Sequence, residues 1–260
     1  MHCCAYYHLP EHSGDKSFTI EVNPFTFGRG SLAEVGVHAQ RLGMKRVMLL
    51  TDARVARTPH VAKVCESLAK VGIKPVIYGE CVVEPTDQAL QAAARFAQQG
   101  KFDGFVAVGG GSVLDTAKAT NLYATYPDDF LAYVNAPIGQ GKPVPGPLKP
   151  LIAVPTTIGT GSEVTGISIF YLTPLGGKTG IISRHLLPSH AIIDPEVADT
   201  LPAGVIAANG FDAMAHALES YTARAHSTRA FNLGDTRPMN QGANPWSDMG
   251  AREALRLLGL

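Results

Sequence analysis

The chain has 260 residues, enough for one substantial core and the start of a second, and its 45% hydrophobic and 17% charged content excludes a disordered chain. Lysine plus arginine and aspartate plus glutamate number 22 each, so no basic surplus exists to hold a nucleic-acid backbone or a membrane surface, and a small molecule is the expected partner. Cys3, Cys4, Cys65 and Cys81 show no Cys-x-x-Cys spacing, and neither a secretory signal nor a bilayer-long apolar stretch is legible, so the cytoplasm is the expected compartment.

The first residues carry a donor-rich tail, His2, Cys3, Cys4, His8 and His12, of a kind termini often hold by chance, and metal binding is not expected there. From residue 18 to 27 apolar and polar residues alternate and then break at Gly28-Arg29-Gly30, the pattern of an edge hairpin. Ser31 is placed to cap a helix with the apolar stripe Leu32, Val35, Ala39 and Leu42. Residues 47–50 read as a short buried strand with Asp52 at its tip. A carboxylate there can hold ribose hydroxyls and repel an extra phosphate, favouring NAD over NADP, or it can simply cap a turn.

Strand and helix continue to alternate. A helix runs through Val61, Val64, Leu68 and Val71 with Cys65 on its apolar face. A strand at 75–78 follows, then a helix opened by Pro85-Thr86-Asp87 and carrying Leu90, Ala93, Ala94 and Ala97, then a strand at 102–108. This order predicts a mainly parallel sheet with helices on both faces, whose ligands bind at the carboxyl ends of the strands. The strand at 102–108 runs into Gly109-Gly110-Gly111-Ser112, and a helix follows with Val113, Ala117 and Asn121 four apart. Three glycines let the backbone turn sharply and approach a ligand, so the first amides of that helix can meet a phosphate; a tight turn alone would need them too. The run fits neither Gly-x-Gly-x-x-Gly nor Gly-x-x-x-x-Gly-Lys-Ser/Thr.

Residues 136–150, rich in proline and glycine, read as a loop before a buried strand at 151–154. That strand leads into Pro155-Thr156-Thr157-Ile158-Gly159-Thr160-Gly161-Ser162-Glu163, where hydroxyls and exposed amides suit a ribose and pyrophosphate, or a polar turn. Residues 164–172 and 178–182 flank a Gly-Gly turn and read as a hairpin, on which Lys178 either reaches a cofactor or is solvated. Residues 191–193 form the last expected strand. Pro202 opens a helical region, which places a boundary near residue 200, between an α/β domain over 1–201 and a helical one over 202–260. There Asp212 and His216 lie four apart, sharing a helix face as half of a metal site or as a surface hydrogen bond, with Glu219 one turn on as an outer partner or a solvated residue.

Gly109-Gly110-Gly111-Ser112-x-x-Asp115-x-Ala117-Lys118, then the 155–163 run, then Asp212-x-x-x-His216-x-x-Glu219 resemble the iron-containing (group III) alcohol dehydrogenase family in order and separation. Asn121 to Ala124, Ala136 to Val144 and Leu148 to Thr157 are most similar to its hydroxyacid-oxoacid transhydrogenase branch. The resemblance implies a Rossmann-like NAD-binding domain followed by a helical one, with the active site in the cleft between them. It assigns Asp52 to the adenosine ribose, Gly110, Gly111 and Ser112 to the pyrophosphate, Thr156, Thr157 and Thr160 to the adenine side or ribose, and Lys178 to the nicotinamide ribose. Asp212 and His216 become metal ligands and catalytic residues, for Fe(II) ahead of zinc or manganese, and hydride passes from 4-hydroxybutyrate to 2-oxoglutarate through bound NAD. It also implies small hydroxyacid and oxoacid partners, no nucleic acid or membrane, a homodimer as an open assembly, and the mitochondrial matrix for a eukaryotic chain.

The sequence departs from that pattern in lacking the family's two later histidines: only His226 follows His216, in a polar loop. Residues 251–258 read as an amphipathic helix with nothing left to pack against, and roughly 60 residues after the boundary are few for a domain, so the chain reads as truncated in its second domain. Two alternatives stay open. One is a catalytically inactive NAD-binding fragment with half a metal site. The other is a general iron-type alcohol dehydrogenase, or a glycerol-dehydrogenase-like or dehydroquinate-synthase-like member, against which Gly159-Thr160-Gly161-Ser162-Glu163 argues.

Overall fold

A computed structural model of the chain describes residues 14–230, 232 and 234–259, so the cysteines and histidines of the N-terminal tail lie outside the described residues. The described chain falls into two compact units, Val22–Pro202 and a second made of residues 14–21 and 203–259. No helix among the described residues is long and apolar enough to cross a membrane.

In the first unit the strands are β1 (Phe25–Phe27), β2 (Val47–Asp52), β3 (Val76–Cys81), β4 (Gly104–Gly109), β5 (Leu151–Pro155), the pair β6 (Ile167–Leu172) and β7 (Gly177–Ile182), and β8 (His190–Ile193). Six of them form one parallel sheet in the order β1-β8-β5-β4-β2-β3, while β6 and β7 make a separate antiparallel hairpin. The helices between them are α1 (Val35–Arg41), α2 (Pro59–Lys70), α3 (Asp87–Gly100) and α4 (Gly111–Thr125).

The central strands are unbroken apolar runs because both of their faces are covered. Val47, Leu49, Val106, Val108, Ile152 and Val154 pack with Leu32, Val35 and Ala39 and with Val61, Val64 and Leu68 of α2. Met48, Leu50, Phe105, Ala107, Leu151 and Ala153 pack on the opposite face with Ala93 and Ala97 of α3 and Val113, Leu114 and Ala117 of α4. The fold is thus Rossmann-like. From β2 the chain steps outward to β3 and then returns to the other side of β2 as β4, so the connections diverge between β2 and β4. In such sheets ligands bind at the carboxyl ends of the two strands where the connections diverge.

The alternation over 18–27 yields no hairpin: only Phe25–Phe27 is a strand, and it pairs in parallel with β8, a partner distant in sequence. Ser31 does not cap a helix. The Asp194 carboxylate, arriving from the end of β8, accepts from the amides of Gly30 and Leu32, both at 3.1 Å, a stronger acceptor than a hydroxyl. A 3-10 turn over Ser31–Glu34 then precedes α1, and the buried Ser31 hydroxyl has no partner among the described residues.

The second unit holds α5 (Ala203–Thr222) and α6 (Pro245–Leu257). The last helix starts earlier than the expected residue 251 and, contrary to expectation, packs along α5. Asn244 and Ser247 form a capping box and Pro245 takes the first helical position, where its missing N–H is not needed. Asp15 is buried between Arg229 at 2.8 Å and Arg237 at 2.9 Å, which tie residues 14–21 into this unit.

Candidate functional site

In a parallel sheet all carboxyl ends lie on one edge, and that edge collects most of the residues singled out by the sequence. β4 and β5 are neighbours in register through Gly109 and Pro155, and the Thr156 amide donates to the Gly109 carbonyl at 2.9 Å. Gly110 is extended and α4 begins at Gly111, so the Gly111 and Ser112 amides precede any intrahelical acceptor. A β-carbon on Gly110 would lie 3.0 Å from Thr157 Cγ2, and one on Gly111 would lie 2.9 Å from Thr160 Cγ2 and 3.0 Å from its Oγ1. The glycine turn and the threonine loop therefore touch, and the glycines are required by that closeness as well as by the turn.

The Thr157 hydroxyl is buried beside Gly110 and has no partner among the described residues. An unsatisfied hydroxyl at a helix N-terminus is matched by a ligand rich in hydroxyl and phosphate oxygens, and a dinucleotide fits this cradle. Asp52 stands at the end of β2, the strand next to β4. Its Oδ1 accepts from the amides of Arg54 at 2.8 Å and Val55 at 2.9 Å, so one of its oxygens caps the following turn.

Lys178, on β7, is brought toward the glycine turn by a residue the sequence reading did not single out. Its ammonium lies 2.7 Å from the Glu84 carboxylate, which it holds below the ordinary glutamate range, and the Glu84 amide donates to Ser112 Oγ at 3.3 Å. Glu84 adopts φ +54°, uncommon for a residue with a side chain. The only sequence signal for it is its place after β3, at the same edge as the other loops. Asp115, Lys118 and Ser162 belong to the quoted motifs without a role of their own, yet they meet beneath these loops. Lys118 is fully buried and its ammonium donates to Ser162 Oγ at 2.8 Å.

In the second unit Asp212 and His216 share a face of α5, with Oδ1 and Nε2 3.6 Å apart and both side chains about half exposed. Among the described residues no three histidine, cysteine, aspartate or glutamate side chains come together as a metal site. Glu219 is exposed. His226, in the loop after α5, is buried: its Nδ1 faces the Ala243 carbonyl at 3.3 Å and the Phe18 ring meets it edge-on. A carboxylate and an imidazole suit a borderline-hard metal, but two donors do not fix its geometry.

The family model of the iron-containing alcohol dehydrogenases matches residues 23–195. The mitochondrial hydroxyacid-oxoacid transhydrogenase of Bos taurus is 50% identical over 247 residues, 94% of this chain and 53% of the relative, so the chain spans about half the length of the curated relatives it matches. Among solved structures, a 1,3-propanediol oxidoreductase superposes with a TM-score of 0.81 at 31% identity, over 94% of this chain and 58% of that one. The sulfoacetaldehyde reductase of Bifidobacterium kashiwanohense, solved in complex with NAD+, gives 0.75 at 28% identity over 82% and 55%. With most of its first unit matched by the family model and its parallel sheet shared with these enzymes, the chain belongs to the iron-containing alcohol dehydrogenase family.

Proposed function

We propose that this chain is the dinucleotide-binding part, with the first two metal-ligand positions, of a metal-dependent, NAD-linked oxidoreductase that moves hydride between a hydroxyacid and an oxoacid. The observation that carries the reading is the contact of Gly110 and Gly111 with Thr157 and Thr160 at the carboxyl edge of β4 and β5, beside the strand that ends in Asp52. In this reading the NAD-binding domain expected over residues 1–201 is the unit Val22–Pro202, with residues 14–21 lying in the other unit. Gly110, Gly111 and Ser112 take the pyrophosphate, Asp52, Thr156, Thr157 and Thr160 hold the adenosine portion, and Lys178 approaches the nicotinamide ribose. Residues 202–260 are a partial helical domain in which Asp212 and His216 give Fe(II), or zinc or manganese, two of its donors, and other groups complete the set. Asp212 and His216 would hold such a metal, which would supply Lewis-acid character toward a substrate oxygen.

The likeness to relatives named as mitochondrial hydroxyacid-oxoacid transhydrogenases supports a hydroxyacid and an oxoacid as substrates and a mitochondrial compartment, with 4-hydroxybutyrate and 2-oxoglutarate as the proposed pair and the matrix as the proposed location. The pairing of only two candidate metal donors among the described residues favours a second reading, NAD binding without turnover. The deciding experiment titrates the purified chain with NADH, measures bound iron after loading, and follows deuteride transfer from labelled 4-hydroxybutyrate to 2-oxoglutarate. Saturable NADH binding with transfer supports the first reading. Binding without transfer selects the second, and no saturable binding removes both.

A further inference from the structure

Lys118 lies further along α4 than the glycine turn, is fully buried, and makes none of the cofactor contacts proposed above. Its ammonium donates to Ser162 Oγ at 2.8 Å, to Thr165 Oγ1 at 3.2 Å and to the Ile167 carbonyl at 2.8 Å, with Asp115 Oδ1 at 3.7 Å. Asp115 in turn accepts from Ser162 Oγ at 2.6 Å and from the Ile169 amide at 3.0 Å. The Ser162 amide donates to Thr160 Oγ1 at 3.3 Å, and Thr160 is the side chain that lies against Gly111. One connected path therefore runs from a buried ammonium to the proposed pyrophosphate cradle.

An ammonium is an expensive group to bury, and a buried ion pair is weak support for stability compared with apolar residues of the same volume. What it provides here is three donors on one atom, aimed at a segment where only the short turn Ser162–Val164 interrupts irregular backbone. We infer that Lys118 is a positioning residue for dinucleotide binding, fixing Ser162 and through it Thr160 against the glycine turn so that the loop after β5 is ordered before the cofactor arrives. The inference rests on the NAD reading above.

Burial pushes the Lys118 pKa down to about 8. The charged groups bearing on it are Asp115 on its own helix and Glu163 on the turn above, both carboxyls raised by burial. Lys149, Arg184 and His185 line a recess together with Lys118. A neutral amine has too few N–H groups for all three acceptors, so the loop loses a restraint as pH rises through about 8. Stability moves the other way. Between that value and the unfolded lysine pKa of about 10.4, the unfolded chain binds more protons, so the folded state gains stability as pH rises.

The test measures NADH affinity of the 260-residue chain by nicotinamide fluorescence, alongside thermal unfolding, from mildly acidic to alkaline pH. Expected is a loss of affinity of about tenfold across the titration, the worth of one hydrogen bond to a charged group, while the melting temperature does not fall. Lys118→Arg, which stays charged, flattens the profile, and Lys118→Met binds weakly at every pH. Affinity that is flat in the unaltered chain, a profile readable without any variant, overturns the role of Lys118 while leaving NAD binding intact. Absence of NADH binding at every pH overturns the NAD reading and this inference together.

Discussion

A β-carbon added to Gly111 would meet Thr160 at 2.9 Å, closer than side-chain carbons tolerate, so Gly111→Ala has to push the threonine loop away from α4. Alanine otherwise favours a helix over glycine by about 0.5–1 kcal/mol, and the two effects separate in measurement. Global stability is expected to change by less than about 1 kcal/mol while NADH affinity, read by titration calorimetry, falls about tenfold. Thr157 gives a complementary case. Its buried hydroxyl has no partner among the described residues, and leaving such a group unsatisfied costs about 1–3 kcal/mol. Thr157→Val removes that cost at nearly constant shape, so chemical denaturation should show equal or higher stability. NADH binding should weaken all the same, because the hydroxyl's proposed partner is the cofactor. A variant less stable than the parent with unchanged NADH affinity would contradict this account.

At the scale of elements, α1 and α2 approach each other through Gly36. A β-carbon there would lie 2.1 Å from the Ser67 carbonyl oxygen, which is backbone and cannot swing aside. The Ser67 hydroxyl reinforces the approach by accepting from the Gly36 amide at 2.8 Å and donating to the Ala33 carbonyl at 2.6 Å. Gly36→Ala is therefore expected to cost about 3 kcal/mol, the upper end for overpacking, seen as a lower urea midpoint with an unchanged slope. The carboxyl edge of the sheet is untouched, so NADH affinity of the folded fraction should stay at the parent value.

The whole molecule comprises two units, and residues 14–21 belong with the C-terminal one although 181 residues of the other unit, Val22–Pro202, intervene. Asp15 contributes to that join beside the Thr19–Gln241 hydrogen bonds and the Phe18–His226 ring contact. Hydrogen bonding to Arg237, then the Ser17 amide and Arg229, outweighs burial and holds its carboxyl well below the usual carboxylate range. A depressed folded pKa gives stability that is present above the unfolded value of about 3.9 and lost as pH falls toward the folded one. Unfolding is expected to show two transitions, of which one is acid-sensitive below about pH 4. Asp15→Asn should lower that transition by about 3 kcal/mol at neutral pH, leave the other in place, and expose residues 229–241 to protease. A single transition that Asp15→Asn does not move would refute this division of stability.

Much of the first unit was legible in the sequence because its signals are local. Residues 47–50 and 151–154 are unbroken apolar runs, which a strand covered on both faces requires, and Gly109 to Gly111 mark a sharp turn whatever surrounds them. Helical periodicity likewise put Asp212 and His216 on one face of α5. The strand order and the partners it creates were not legible. Phe25–Phe27 pairs with β8 and not with a neighbouring strand, Asp194 displaces Ser31 as a cap, Glu84 links Lys178 to Ser112, and Lys118 reaches Ser162 across 44 residues of chain. Periodicity records which side of an element is covered and leaves open what covers it. That was decided only when both faces of the sheet were buried and the strands took their order, which brought residues far apart in the chain to the same carboxyl edge.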